Sequence, residues 1–190
     1  DIKRRLAYST ISQVSYITLG VAMLGPLAAV GGLVHLVHQG VMKITLFFCA
    51  GNFAETLGIH KIRELNGVGR RMPVTAMAFT LGALGMIGIP PTAGFISKWY
   101  LLLAALEKGQ WWLVFLILLS SLLAVAYVWR FVEVAYFREP RQDVDANATV
   151  PWSMGVPTAL LVAATVYFGL STGFTVGSAS QAATFLMGAR

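Results

Sequence analysis

Four titratable side chains, His35, His38, Lys43 and Lys98, interrupt stretches that are otherwise apolar. His35, Gln39 and Lys43 recur at i, i+4 and i+8 within LVHLVHQGVMKITLFF, so a helix aligns them in one stripe roughly 12 Å long. His38 falls beside that stripe. A lysine near the centre of a lipid-embedded helix costs on the order of 2.5 to 3.5 kcal/mol, and ionisable residues kept there face a bundle interior or a water-filled path. Histidine titrates near pH 6.5, so small changes of surroundings move its proton on and off around neutrality. The stripe is the pattern of a proton relay. The alternative is a pair of neutral, hydrogen-bonded core histidines, with Lys43 snorkelling to an interface about seven residues further on. Metal binding by His35 and His38 is the weaker reading, because an i, i+3 pair lacks a neighbouring carboxylate or thiolate.

Lys98 follows GIPPTAGFIS. Pro90 and Pro91 remove two helical donors and restrict the residues before them, and Gly94 loosens the chain further, so a helix break is expected here. Non-helical backbone at membrane depth is tolerated only where it lines protein or water. A lysine beside such a break is a candidate proton station; the alternative is a structural ammonium bonded to carbonyls that the break frees.

Positioning these groups falls to apolar helices. Of 190 residues, 57% are hydrophobic and 12% charged, about half the charged share of a soluble domain, and mean hydropathy is +0.71. Such a chain cannot cover a core with polar surface, so its solvent is lipid and a soluble bundle is excluded. The net charge of +6 then reads as membrane topology rather than nucleic-acid binding. Cys49 is the single cysteine and lies in an apolar run, which excludes an intramolecular disulfide and a four-cysteine metal site.

Six spans can be marked: Leu6 to Leu24, Leu27 to Ala50, Pro73 to Ile89, Thr92 to Leu106, Trp111 to Val134 and Trp152 to Leu170. The polar stretch NFAETLGIHKIRELNGVGRR separates the second from the third and is expected to hold a short interfacial helix ending near Asn66-Gly67. The fourth span is short for a full crossing. Residues 138–151 form a polar loop, and the stretch AATFLMGA near the end is left unassigned. If all six cross, nine basic residues (Lys3, Arg4, Arg5, Lys61, Arg63, Arg70, Arg71, Lys108, Arg190) share the N-terminal side against three (Arg130, Arg138, Arg141) opposite, which makes the N-terminal side cytoplasmic. The glycines at 82, 85 and 88 lie inside an apolar helix and read as close helix packing, not as a dinucleotide loop. Arg130 and Glu133, three apart, are placed to pair at a surface.

Three segments, DIKRRLAYSTISQVSY, HLVHQGVMKITLFFCAG and GIPPTAGFISKWYLL, carry a family resemblance. Together they resemble successive landmarks of the antiporter-like proton-translocating subunits shared by respiratory complex I, membrane-bound hydrogenases and multisubunit monovalent cation/proton antiporters. The resemblance implies an all-α, polytopic transmembrane helix bundle: residues 1–137 as a second five-helix repeat with a broken helix, 138–151 as a loop, and 152–190 as a C-terminal transmembrane helix and tail. It also implies an upstream first repeat that precedes Asp1. By motif match Lys98 is the broken-helix lysine, Lys43 the lysine after the histidine helix and His35 its first histidine; the family often has histidine where this chain has Gln39.

The implied function is proton, or coupled cation/proton, translocation along a buried Lys/His axis, as one subunit of a hetero-oligomeric complex in a bacterial or archaeal cell membrane. Partners are then other membrane subunits, lipid, protons and Na+ or K+, with no nucleic acid. No quinone, flavin, haem or iron-sulfur ligand set is visible, so no cofactor is expected and electron transfer belongs to other subunits. The antiporter subunit called D is the favoured branch and a complex I or hydrogenase subunit the second. A non-conducting structural subunit explains the glycines but leaves the buried lysines without a role.

Overall fold

The computed structural model describes residues 1–139 and 149–188. All regular structure among them is helical: α1 (Ile2–Ala22), α2 (Pro26–Leu57), a 3-10 turn (Ile62–Glu64), α3 (Val68–Arg71), α4 (Pro73–Ile87), α5 (Ala93–Glu107), α6 (Trp111–Val132, continued by a π turn Glu133–Phe137), α7 (Trp152–Leu170) and α8 (Gly173–Leu186). The side chain of Asp1 caps α1 by accepting from the Arg4 amide at 2.8 Å. The 3-10 turn ends beside Asn66-Gly67, where the interfacial helix was expected.

α2 is the spine of the bundle and packs against α1, α4, α5, α7 and α8. It is 32 residues long, about 48 Å, and closes at Gly58 in the left-handed region. The expected end at Ala50 is therefore too early. The segment NFAETL continues the helix, with Asn52 buried inside the protein, so its polarity marks internal contact rather than a loop. Lys43 consequently lies fourteen residues from the helix end, and its side chain turns to α1 rather than running to that end.

The expected third and fourth spans are two halves of one interrupted crossing. Along α2, partners on the neighbouring chain advance without reversal: Phe53 meets Phe79, Leu46 meets Gly82, Met42 meets Gly85 and Gly94, His35 meets Ser97 and Gly31 meets Leu101. A hairpin would bring Lys108 back beside Pro73. Instead the Lys108 ammonium donates to the carbonyls of Met23 and Leu24, at the opposite end of the bundle. α4 and α5 have 15 residues each, about 22 Å, so neither alone covers the roughly 30 Å hydrocarbon layer and together they do. Residues 1–137 thus cross four times rather than five.

The last pass is built the same way. Asn52 bonds Thr158, His38 stacks on Phe168, and Val30 and Val34 pack with Ala179 and Ala183, so α7 and α8 run end to end beside α2. The stretch AATFLMGA lies largely in α8.

Topology changes accordingly. Lys3, Arg4, Arg5, Lys61, Arg63, Arg70, Arg71, Arg130 and Arg138 share the N-terminal side, and among the described residues Lys108 alone lies at the other end. The positive-inside bias is stronger than six crossings implied and names the same side cytoplasmic. Arg141 and Arg190 fall outside the described residues. By length and composition α2, α6 with its π turn, and α7 suffice to cross a membrane. α1 is more polar because charges open it and serines and glutamine follow; its buried face carries Ile2, Leu6, Gln13, Tyr16 and Gly20, while Ser12 and Ser15 are exposed.

Candidate functional site

Each buried cation is placed by a different packing event. Lys43 is 4% exposed, and its Nζ crosses to α1, donating to the Leu6 carbonyl at 3.4 Å and to the Ser9 hydroxyl. No carboxylate pairs with it among the described residues, where the ion pairs are those of Glu133 with Arg130 (2.7 Å) and Arg138 (2.8 Å), both partly exposed as the sequence spacing implied.

Lys98 sits on the second turn of α5 and reaches back over the break. Its Nζ donates to the carbonyls of Met86 at 2.7 Å and Ile87 at 3.0 Å, and to Ser121 Oγ at 3.0 Å. Those carbonyls end α4, the negative pole of its helix dipole, so three acceptors match the three protons of an ammonium. The Tyr16 ring covers the same nitrogen, its centroid 5.0 Å away. The break that frees the carbonyls also admits the lysine: Gly88 has φ +88, and a Cβ there would lie 2.9 Å from the Lys98 side chain.

His35 joins the two. It is fully buried, its Nδ1 lies 2.8 Å from Ser97 Oγ, and its ring is 5.1 Å from that of Tyr16. Ser97 Oγ also lies 3.2 Å from the Gly94 carbonyl, so the hydroxyl joins His35 to the backbone at the start of α5. His35 Nε2 is buried with no side-chain partner, on the side of the Gln13 backbone.

Two more buried polar atoms without a protein partner line the same seam, Gln13 Oε1 and Gln39 Oε1, whereas the Tyr16 hydroxyl is directed to Ser120 and Ser121 on α6. Their level follows from register. Lys43 meets Ser9 and His35 meets Tyr16, so Gln39 and Gln13 lie between these pairs on the facing helices. Buried polar atoms cost free energy unless bonded, and water supplies such bonds where space adjoins them. A cavity of about 460 Å³ opens beside the seam between α1 and α6, lined by Arg5, Ser9, Ser12, Gln13, Ser120 and Tyr127.

Of the four expected titratable residues, the structure brings Lys43, His35 and Lys98 onto one line. His38 is not on it. Its ring turns to the other side of α2, with Nδ1 2.7 Å from the Ala93 carbonyl and Nε2 3.1 Å from Thr175 Oγ1. The expected break at Pro90, Pro91 and Gly94 is present: residues 88–92 are non-helical, and Gly94 opens the first turn of α5 against α4. A Cβ on Gly94 would lie 1.9 Å from the Gly85 carbonyl oxygen, so only glycine fits there.

Sequence reasoning missed Gln13, Tyr16, Ser97 and Ser121. The available signal was the run YSTISQVSY in a segment that must be embedded, and the paired serines 120 and 121 inside an apolar helix of 22 residues.

Comparison with known proteins identifies the family. The family described as NADH:quinone oxidoreductase/Mrp antiporter, TM matches residues 1–124. NADH-quinone oxidoreductase subunit N of Desulforudis audaxviator is 40% identical over 168 residues, 85% of this chain and 34% of that protein. The D-type subunit of the Na(+)/H(+) antiporter of Bacillus subtilis is 29% identical over 187 residues, 98% of this chain and 38% of that protein. Respiratory complex I from Thermus thermophilus contains a chain that superposes with a TM-score of 0.82 at 28% identity, covering 98% of this chain and 40% of that one. The chain spans roughly a third of the length of these curated relatives.

Proposed function

We propose, for a chain that belongs to the NADH:quinone oxidoreductase/Mrp antiporter transmembrane family, that it forms part of a proton-translocating membrane subunit in which Lys43, His35 and Lys98 pass protons along the α1–α2 seam. The observation that carries this reading is the pair of buried amide oxygens without protein partners, Gln39 Oε1 and Gln13 Oε1, beside His35 and between two lysines that lack carboxylate partners among the described residues. Bonding alone explains a buried lysine. It does not explain unpaired acceptors leading from one lysine towards the other.

His35 passes a proton between water held by Gln13 and Gln39 and the Ser97 hydroxyl on the helix of Lys98. Gln39 does not titrate; its amide orders the water that replaces the imidazole found in many relatives. Lys98 holds its charge against the end of α4 and the Tyr16 ring, and gives it up beside Ser121. In this reading residues 1–137 constitute an antiporter-like repeat, 152–190 are a further C-terminal element, and the subunit works beside other membrane subunits.

The branch follows the identities. The type D antiporter favoured from sequence has no specific support, since the D-type relative is 29% identical and the subunit N relative 40%. The redox-driven complexes are therefore the first reading for the partner machinery, and cation/proton antiport the second. Identification of the co-purifying subunits separates them. Lys43→Ala in the full-length protein tests the relay: proton translocation per assembled complex falls at least tenfold, while equal translocation with normal assembly would remove Lys43 from it.

A further inference from the structure

His38 lies where the breaks of the two interrupted crossings meet. Their breaks, residues 88–92 and 171–172, reach the same level of α2 and meet backbone to backbone: a Cβ on Gly169 would lie 1.8 Å from the Pro91 carbonyl oxygen and 2.5 Å from the Thr92 carbonyl carbon. The His38 ring is fully buried at this junction and lies parallel to Phe168, the last but two of α7, with centroids 5.8 Å apart. One ring nitrogen holds the first residue of α5 and the other holds the first turn of α8.

The bond directions are determined. The Ala93 carbonyl only accepts, so Nδ1 carries a proton and donates to it. In the neutral ring Nε2 is then bare and accepts from the Thr175 hydroxyl. Thr175 has one other acceptor within reach, the Thr172 carbonyl at 3.5 Å, a long bond that competes for the same proton. The imidazole is a rigid strut between two helix starts whose own backbone is broken.

We infer that His38 is a positioning residue that couples the helix bearing Lys98 to the α7–α8 crossing, so that a displacement at the start of α8 is felt at the start of α5. Lys98 is five residues beyond Ala93 on α5, and Ser97, the partner of His35, is four. Movement of the Ala93 end therefore shifts both groups that flank the relay, although His38 touches neither lysine through a hydrogen bond. The inference deepens the proposed function by naming what holds its broken helix in register, and it rests on that reading only for its consequence in transport.

The test alters α8 and reads α5. In the full complex in nanodiscs, Thr175→Val removes the hydroxyl at nearly constant volume, and Thr175→Ser keeps it. Hydrogen exchange of the peptide covering residues 89–98 rises on the order of tenfold in Thr175→Val and stays at the parent rate in Thr175→Ser. In a His38→Phe background, which keeps an aromatic ring but no strut, Thr175→Val adds nothing further, the non-additivity expected of one shared connection. Unchanged exchange in α5 on Thr175→Val, or full additivity with His38→Phe, would overturn the coupling. Should His38→Phe fail to assemble, the Val and Ser pair decides alone. Exchange is read without proton flux, so this result is independent of whether Lys43 and Lys98 carry protons.

Discussion

The ammonium of Lys98 lies 5.0 Å from the centroid of the Tyr16 ring, and the same ring is 5.1 Å from that of His35. Tyr16 thus stands between the two titratable groups of the α5 end of the relay. A cation over an aromatic face gains about 0.5 to 2 kcal/mol, most when desolvated. Tyr16→Phe keeps that face and retains most proton translocation; Tyr16→Leu loses it and lowers translocation about 3- to 30-fold at equal assembly. Proteoliposome assays on both variants check this. A phenylalanine variant as damaged as the leucine one would assign the effect to the hydroxyl instead.

Gly94 permits the break to close on itself. A methyl at that position meets the Gly85 carbonyl, so Gly94→Ala forces α4 and α5 apart and costs about 1 to 3 kcal/mol. Gly40, on the same spine, where a Cβ would meet nothing within 4 Å, tolerates alanine and serves as the control. Thermal stability of the purified complex distinguishes them, with a lower Tm expected for Gly94→Ala alone.

The chemistry was more legible than the architecture. Lys43 and Lys98 stood out because charge inside apolar runs has few explanations. Gln13 and Ser121 did not, because neutral polar residues are common on helix surfaces and only packing shows that these face inward. A broken helix at Lys98 was legible through the resemblance, but which segments it joins was not: two apolar segments flanking a proline pair read alike whether the chain turns back or continues. Distribution of charge held the missing hint, since Arg130 and Arg138 fall on the unfavourable side when every span is counted and on the favourable one when the two halves are joined. NFAETL was misread because its polar residues serve contacts such as Asn52 with Thr158.

Gln39 lies on the stripe between Lys43 and His35, with a buried carbonyl that lacks a protein partner. Gln39→His introduces a group with an ordinary pKa near 6.5 into that path. Translocation persists in this variant and its pH profile acquires a new limb within about one pH unit of 6.5. An unchanged profile would place position 39 off the proton path.

The central claim is that Lys98 exchanges its proton. Proton translocation by Lys98→Arg and Lys98→Ala, each normalised to assembled complex, tests this most directly. Guanidinium keeps the charge at the end of α4 but does not deprotonate in proteins. Both variants are therefore expected to assemble and both to lose translocation at least tenfold. Near-parental translocation by Lys98→Arg, with Lys98→Ala failing to assemble, would contradict the account and leave Lys98 as a structural cation bonded to Met86 and Ile87.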